Sequence, residues 1–214
     1  ELKPTTIWDP TKYLNIWVVK CISADSGGSD CLLEPSSGFA IGYSYTPCSV
    51  NNYFSNPPTI TCNSVASMAQ YDGVVIRNDA FGTTETALPK YYGVLAHEIG
   101  HWLNLQHIFA PDAQYVPTAT TWTNCHLPSE GLVQGDFVSD TPPQDVVTTT
   151  ANIGCANSIN VNTCTLDNLI DDWENIMGYH IDLNNLNIPI ACLYKFSLGQ
   201  KERMRDCLMN IRTF

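Results

Sequence analysis

Three of the chain's five histidines lie in one short segment, HEIGHWLNLQH, at residues 97–107. His97 and His101 are four residues apart, so on a helix both imidazoles project from the same face, one turn apart. Two neutral imidazoles at this spacing can hold one Zn²⁺ at about 2.0–2.1 Å. Glu98 follows the first histidine, beside the metal rather than on it, where a carboxylate can accept a proton from an activated water. The spacing predicts a zinc site with a general base.

A third ligand is required, and His107 lies six residues after His101. On a straight helix His107 would point elsewhere, so the chain must leave the helix and turn back. Such a turn needs a residue with positive φ, usually Gly and otherwise Asn, and Asn104 lies at that place. H-E-x-x-H strings also occur by chance in unrelated helices, and the third histidine at this offset favours zinc. His126 and His180 are interpreted as surface or rim residues rather than ligands.

The proposed ligands lie on the strongest helical pattern of the chain, residues 89–105. This segment is apolar on nearly every side, which is typical of a buried helix, and Pro89 suits its first turn. Before it, apolar and β-branched runs predict short strands at 14–22, 38–45 and 73–76. After it, residues 111–190 are rich in Thr, Asn and Asp and lack periodicity, so function or covalent staples are expected there. A last helix is predicted over 198–211, with Ser197 and Gln200 as a capping box.

Composition narrows the class of protein. The 214 residues include 21 Asp plus Glu and 10 Lys plus Arg, giving a net charge of −11. This balance argues against nucleic acid and anionic membrane as partners, since both are bound by an excess of Lys and Arg. Hydrophobic residues make up 44% and charged residues 14%, which indicates a folded chain, with one domain expected for this length. Residue 1 is Glu rather than Met, and we expect a mature form trimmed at its N-terminus.

Cysteine usage indicates the compartment. The nine cysteines are dispersed without a C-x-x-C pair, which favours disulfides in an oxidising compartment over a thiolate metal site. Because nine is odd, at least one thiol has no partner within the chain.

The zinc-binding segment resembles that of the metzincin clan of zinc peptidases, H-E-x-x-H-x-x-G-x-x-H, with Asn104 where the clan has Gly. The segment NIMGY, residues 175–179, is similar to the Met-turn of that clan. GDFVSDTPPQ at 135–144 and FSLGQKERM from Phe196 are similar to the pappalysin family within it. The resemblance covers roughly residues 70–210.

The resemblance implies an α+β, metzincin-like zinc peptidase fold. A twisted, mostly parallel sheet and the active-site helix would form an upper subdomain, over an irregular, disulfide-stapled lower subdomain with a C-terminal helix. We therefore expect a single catalytic domain, 1–214, divided at about 1–107 and 108–214. The family also implies two crossed disulfides, Cys125 with Cys164 and Cys155 with Cys192. The remaining cysteines stay unassigned: Cys21, Cys31, Cys48, Cys62 and Cys207.

The resemblance also implies roles for three residues near the Met-turn. Met177 would pack beneath the three imidazoles. The hydroxyl of Tyr179 would stabilise the oxyanion of the tetrahedral intermediate, with a buried structural tyrosine as the alternative. Asp182 would line the S1′ pocket and select Arg or Lys, with a solvated loop aspartate as the alternative.

Calcium is implied at a second place, in the loop that carries Asp136, Asp140 and Thr141. Closely spaced oxygen donors in an irregular loop suit Ca²⁺. The alternative is that these residues only make turns.

These features together predict a secreted zinc endopeptidase with one catalytic Zn²⁺, a structural Ca²⁺ and protein or peptide substrates. We expect a monomer, made as a zymogen whose propeptide is removed. Two alternatives remain, a zinc-binding module without turnover and a zinc hydrolase of non-peptide amides. Glu98 speaks against the first, because a pure binder has no need of a base there.

Overall fold

We describe the protein from a computed structural model. The described residues are 3–22, 40–51, 59–64, 68–83, 87–88, 91–109, 136–144, 147–149, 162–164, 168–178, 180–182 and 193–212.

The described chain combines short strands with three α-helices. The strands are β1 (Ile16–Val19), β2 (Gly42–Ser44), β3 (Cys48–Asn51), β4 (Thr59–Cys62), β5 (Val74–Arg77), β6 (Val147–Thr149) and β7 (His180–Asp182). The helices are α1 (Lys3–Thr6), α2 (Val94–Trp102) and α3 (Leu198–Asp206), and a π-helical turn, Cys207–Ile211, continues α3. Among the described helices, none has the length and apolar character needed to cross a membrane.

The central sheet has the order β1-β5-β2, so β5 is its middle strand and β2 lies at an edge. Strand β5 is parallel to β1 and antiparallel to β2. Val74 and Ile76 of β5 are fully buried, as a strand paired on both sides and covered by a helix requires. Strands β1 and β2 fall within the predicted segments and β5 extends one residue past its own, whereas the sequence does not predict the antiparallel pair β3-β4.

Helix α2 is shorter than the pattern predicts and begins at Val94 rather than near residue 89. Gly93 has φ 106°, a left-handed conformation that interrupts a right-handed helix. Pro89, which lies outside the described residues, therefore precedes the helix instead of occupying its first turn. Helix α2 packs against β2 and β5, with Val94 in a cluster with Ile76 and Ala80.

A second core lies beyond the end of α2. It consists of Leu105, Ile108, Phe109 and Met177, with Phe196 and Met204 packed against it. Helix α3 delivers Met204 to this core, and its start is fixed by the predicted capping box: Ser197 Oγ accepts from Gln200 N, and Gln200 Oε1 accepts from Ser197 N. This core joins the C-terminal helix to the segment that carries the third histidine.

The described cysteines include one complete disulfide, Cys48–Cys62, which links β3 to β4. Cys164 is also disulfide-bonded, but its expected partner Cys125 lies outside the described residues, as do Cys155 and Cys192. Cys207 is free and buried.

Candidate metal centre

The end of α2 turns the chain back toward its own histidines. Asn104 has φ 71° and is a buried residue with the left-handed conformation that the turn needs. Its N–H donates to His101 O, and Leu105 N donates to Gly100 O, both at 2.9 Å. His107 consequently lies beside the helix that it has just left.

The three imidazoles converge. The Nε2 atoms of His97 and His107 are 3.0 Å apart, and the same distance separates the Nε2 atoms of His101 and His107. One ligand nitrogen from each ring lies within 4.8 Å of the others. Tetrahedral zinc with ordinary Zn–N bonds separates its nitrogen ligands by roughly 3.3 Å, so this donor set fits the ion.

Backbone carbonyl groups orient two of the rings. His97 Nδ1 is 2.6 Å from Ile176 O, and His101 Nδ1 is 2.9 Å from Leu105 O. A carbonyl oxygen only accepts, so each Nδ1 carries the proton and each Nε2 presents its lone pair to the centre. Hydrogen-bonding the far nitrogen of a ligand histidine is how proteins fix its tautomer for a metal.

The electrostatics of the site favour neutral, ligand-ready imidazole. Burial lowers the pKa of His97 well below its usual value, and the neighbouring His101 and His107 lower it further. His107 also stacks on Phe109, with the two ring centroids 4.7 Å apart and the planes 11° from parallel. The ring of the third histidine is thereby held by the second core.

The side chain of Glu98 extends from α2 to the edge strand β2, and the residue is 7% exposed. Burial raises the pKa of Glu98 to about 7, and a hydrogen bond from the backbone of Ser44 opposes that rise. Glu98 shares a cavity of about 320 Å³ with His101 and His107, and Gln106 and the β2 segment complete its lining. A carboxylate and open space therefore lie together on the accessible side of the histidines.

Met177 is fully buried in the second core. Its backbone is tied to the chain after α2, since Ile108 N donates to Met177 O at 3.2 Å. The preceding residue, Ile176, supplies the carbonyl that orients His97. The segment expected to be the Met-turn thus contacts His97 through the Ile176 carbonyl, and the Met177 side chain packs in the core that includes Phe109, on which His107 stacks.

The structure describes the remaining predicted site residues to different extents. Tyr179 lies outside the described residues, and of Asp182 the structure describes only the backbone, at the end of β7. Thr141 Oγ1 donates to both carboxylate oxygens of Asp136 at 2.9 Å. Asp140 accepts from Ser197 Oγ at 2.7 Å and from Gly199 N at 2.9 Å, at the start of α3. Burial raises the pKa of Asp136 to about 7, although its hydrogen bonds to Thr141 and Val138 oppose the rise.

A buried pair of side-chain amides forms a contact that the sequence does not predict. Asn175 Nδ2 donates to Gln200 Oε1 at 3.0 Å, and Gln200 Nε2 donates to Asn175 Oδ1 at 3.1 Å. Both residues are fully buried, and they tie the segment before Met177 to α3. The only sequence signal was the capping role of Gln200, which does not point to Asn175.

Comparison with known proteins gives a consistent result. The M43 peptidase family model, described as "Pregnancy-associated plasma protein-A", matches residues 4–209. An extracellular metalloprotease of Colletotrichum graminicola is 31% identical over 153 residues, covering 70% of this chain and 42% of the relative. One of Verticillium alfalfae is 29% identical over 143 residues, covering 67% of this chain and 40% of the relative.

Solved structures agree with these relatives. Mature mirolysin of Tannerella forsythia, in complex with a cleaved peptide, has a TM-score of 0.55 and 26% identity, covering 94% of this chain and 53% of its own. Mirolysin in complex with a compound has a TM-score of 0.57, also at 26% identity, covering 96% and 57%. The chain thus spans about two-fifths of the length of these curated relatives and a little over half of the solved ones.

Proposed function

The chain belongs to the M43 peptidase family, the pappalysins, and from that premise we propose that it is a secreted zinc endopeptidase. The family and the solved relatives confirm the predicted metzincin-like α+β fold. The observation that carries the proposal is the convergence of three imidazole nitrogens, two of whose rings line an open cavity together with the buried Glu98. The domain organisation belongs to the proposal too, as one catalytic domain with subdomains at about 1–107 and 108–214.

In this proposal His97, His101 and His107 hold the ion. Bound zinc supplies Lewis-acid chemistry, polarising a carbonyl and lowering the pKa of a water to about 7. Glu98 takes the proton from the attacking water and delivers it to the leaving nitrogen. Tyr179 is proposed to donate its hydroxyl hydrogen to the developing oxyanion.

The edge strand suits an extended peptide. Gly42 and Ser44 lie on β2, at the edge of the described sheet, and both line the cavity that holds Glu98. Edge strands bind extended peptides through the backbone groups that their own sheet leaves unpaired, and on β2 the Ser44 N–H is already used by Glu98. The mirolysin structure with a cleaved peptide supports peptide substrates by analogy.

Specificity for a basic residue is the finer part of the proposal. Asp182 is proposed to pair with Arg or Lys at P1′, so that cleavage falls on the N-terminal side of that residue. The net charge of −11 supports this preference, because it steers basic substrates to the enzyme. Product termini from a peptide library test it: Asp182→Asn should lose the basic preference, and an unchanged P1′ profile would refute the role of Asp182.

Secretion is proposed on two observations. The related fungal proteins are named extracellular metalloproteases, and the chain contains a disulfide between β3 and β4. Disulfides persist in oxidising compartments. The monomeric state and the removal of a propeptide stay predictions.

Calcium remains a proposal for the loop of Asp136, Asp140 and Thr141. The buried Asp136 carboxylate supports it, since a cation would offset the cost of burying its charge. The hydrogen bonds of Asp140 to α3 offer a second role for that carboxylate. Calcium added to EDTA-treated, zinc-restored enzyme should raise its melting temperature, and no change would remove calcium from the proposal.

One experiment tests the function itself. The protein is incubated with casein and with a peptide library, with and without 1,10-phenanthroline, beside a Glu98→Ala variant. We expect chelator-sensitive cleavage, and a loss of about 10²–10⁴-fold in Glu98→Ala with its zinc content retained. Zinc binding without proteolysis would favour the silent module or an amide hydrolase, which assays on non-peptide amides would separate.

A further inference from the structure

Glu98 lies against a glycine of the edge strand. A Cβ built on Gly42 would sit 2.9 Å from Glu98 Cγ, 3.1 Å from its Oε1 and 3.3 Å from its Cδ. These are the three atoms nearest to that position, and all belong to the same glutamate. A methyl group at residue 42 and the present side-chain conformation of Glu98 therefore compete for one volume.

Backbone conformation does not explain this glycine. The described glycines with positive φ are Gly73, Gly82 and Gly93, and Gly42 is absent from that set. Any L-residue can adopt an extended strand conformation. What position 42 excludes is a side chain, because of the space that Glu98 fills.

The same strand also holds the carboxylate by a hydrogen bond. Arg77 N donates to Ile41 O at 2.9 Å, so Ile41 and Arg77 face each other as a hydrogen-bonded pair. Antiparallel pairing alternates, and the backbone groups of Gly42 and Ser44 consequently point away from β5, toward the open edge. From there the backbone of Ser44 donates to Glu98.

We propose that Gly42 is a positioning residue, whose missing side chain sets the conformation of Glu98 and keeps its carboxylate at the Ser44 N–H beside the histidine site. The proposal rests on the proposed function in one respect, namely that Glu98 is the general base. The contact itself is independent of the reaction and can be tested without turnover.

Kinetics give the first test. Gly42→Ala should lower kcat by about 10- to 100-fold, because small displacements of a catalytic group cost that much, with KM and zinc content close to wild type. The matched control is Gly82→Ala, since a Cβ there meets nothing within 4 Å and Glu98 is untouched. If wild type cleaves peptides and Gly42→Ala keeps its kcat, the positioning role is refuted while the proposed function stands.

A stability cycle gives the second test, with no activity required. Melting temperatures are measured for wild type, Gly42→Ala, Glu98→Ala and the double variant. Gly42→Ala should lower the melting temperature when Glu98 is present. The decrease should be clearly smaller in the Glu98→Ala background, where the competing side-chain atoms are gone. Gly82 has φ +86°, so Gly82→Ala is strained, but it should lower the melting temperature by the same amount in both backgrounds.

Failure of the Gly42 inference and failure of the proposed function would give different results. Equal costs of Gly42→Ala in both backgrounds would overturn the inference even in an active protease. Coupling between the two positions in a protein without proteolysis would support the contact and refute the proposed function instead.

Discussion

The sulfur of Met177 occupies the space that a side chain at residue 100 would need. A Cβ built on Gly100 would lie 2.5 Å from Met177 Sδ and 3.4 Å from its Cε. Gly100 is buried in α2, directly before His101. Helix α2, which carries His97 and His101, therefore contacts Met177 at Gly100. Because Gly100 has no side chain, α2 and Met177 can approach this closely.

Gly100→Ala should push α2 away from Met177. Overpacking a filled core costs about 1–3 kcal/mol in the free energy of unfolding, and the displaced helix should also bind zinc more weakly. Urea unfolding and competition with a zinc chelator measure the two effects. Gly199→Ala is the control, because its Cβ would crowd Asp140 and Val138, far along the chain from the histidines, and should destabilise without changing zinc affinity. An equally stable Gly100→Ala protein would contradict the packing argument.

Local periodicity accounts for what the sequence predicts best. His97, Glu98 and His101 follow from the helical repeat, and the turn at Asn104 follows from the need to bring His107 back. Each of these inferences depends on residues within a few positions of one another. The late start of α2 shows the limit even there, because Gly93 adopts a left-handed conformation that apolar periodicity does not register.

Non-local contacts account for what the sequence does not predict. Asn175 and Gln200 are 25 residues apart, and Asp72 and Arg212 are 140 apart. The pairing of such side chains depends on how the elements pack, which neither spacing nor composition encodes. The proposed roles of Tyr179 and Asp182 come from the family resemblance and not from local spacing.

Removal of zinc should destabilise the fold as well as stop catalysis. The ion would join α2 to the segment after it, and a ligand that binds only the folded state raises stability. Treatment with 1,10-phenanthroline should lower the melting temperature, and His107→Ala should bind less zinc and respond less to the chelator. His126→Ala, for which no ligand role is predicted, should keep one zinc per chain. A chelator-insensitive melting temperature in zinc-loaded protein would contradict this prediction.

Lys3 anchors the N-terminal helix α1 on the sheet. Its Nζ donates to Tyr71 O at 2.7 Å and lies 4.9 Å from the centre of the Tyr43 ring and 5.2 Å from that of Trp17. Burial lowers the pKa of Lys3 from 10.5 to about 8, and the charge of Asp72 opposes that change. The ammonium group is therefore harder to keep charged in the folded state than in the unfolded one.

This difference gives Lys3 a pH-dependent effect on stability. Below about pH 8 the amine is charged in both states, and folding bears its full desolvation cost. From about 8 to 10.5 the folded protein has lost the proton and the unfolded chain still binds it, so the contribution of Lys3 to stability rises with pH. The free energy of unfolding of wild type minus that of Lys3→Met should rise over this window. Lys3→Arg stays charged and should not show the rise. If the difference in the free energy of unfolding between wild type and Lys3→Met did not change with pH, the predicted effect of Lys3 would be refuted.

Arg212 links the end of the described chain to the metal-binding helix through a buried ion pair. Its Nη1 donates to Asp72 Oδ1 at 2.9 Å, its Nε donates to Trp102 O at 2.7 Å, and its guanidinium carbon lies 3.7 Å from the centre of the Trp102 ring. The Arg212 and Asp72 side chains are 1% and 0% exposed. Trp102 is the last residue of α2 and follows His101, so this arginine secures the turn from which the histidine projects.

Arg212→Met should leave the Asp72 carboxylate buried without its charge partner. Removing one member of a buried ion pair costs about 3–5 kcal/mol in the free energy of unfolding. Arg212→Lys should also destabilise, because an ammonium group cannot both stack on Trp102 and reach two acceptors. Arg205→Met, at an exposed position of α3, should change stability by less than about 0.5 kcal/mol. Replacing both partners, with Asp72→Asn added to Arg212→Met, should recover part of the loss, since neither charge of this pair is then left buried without the other. If Arg212→Met were as stable as Arg205→Met in urea unfolding, the pair would not be what holds this end of α2.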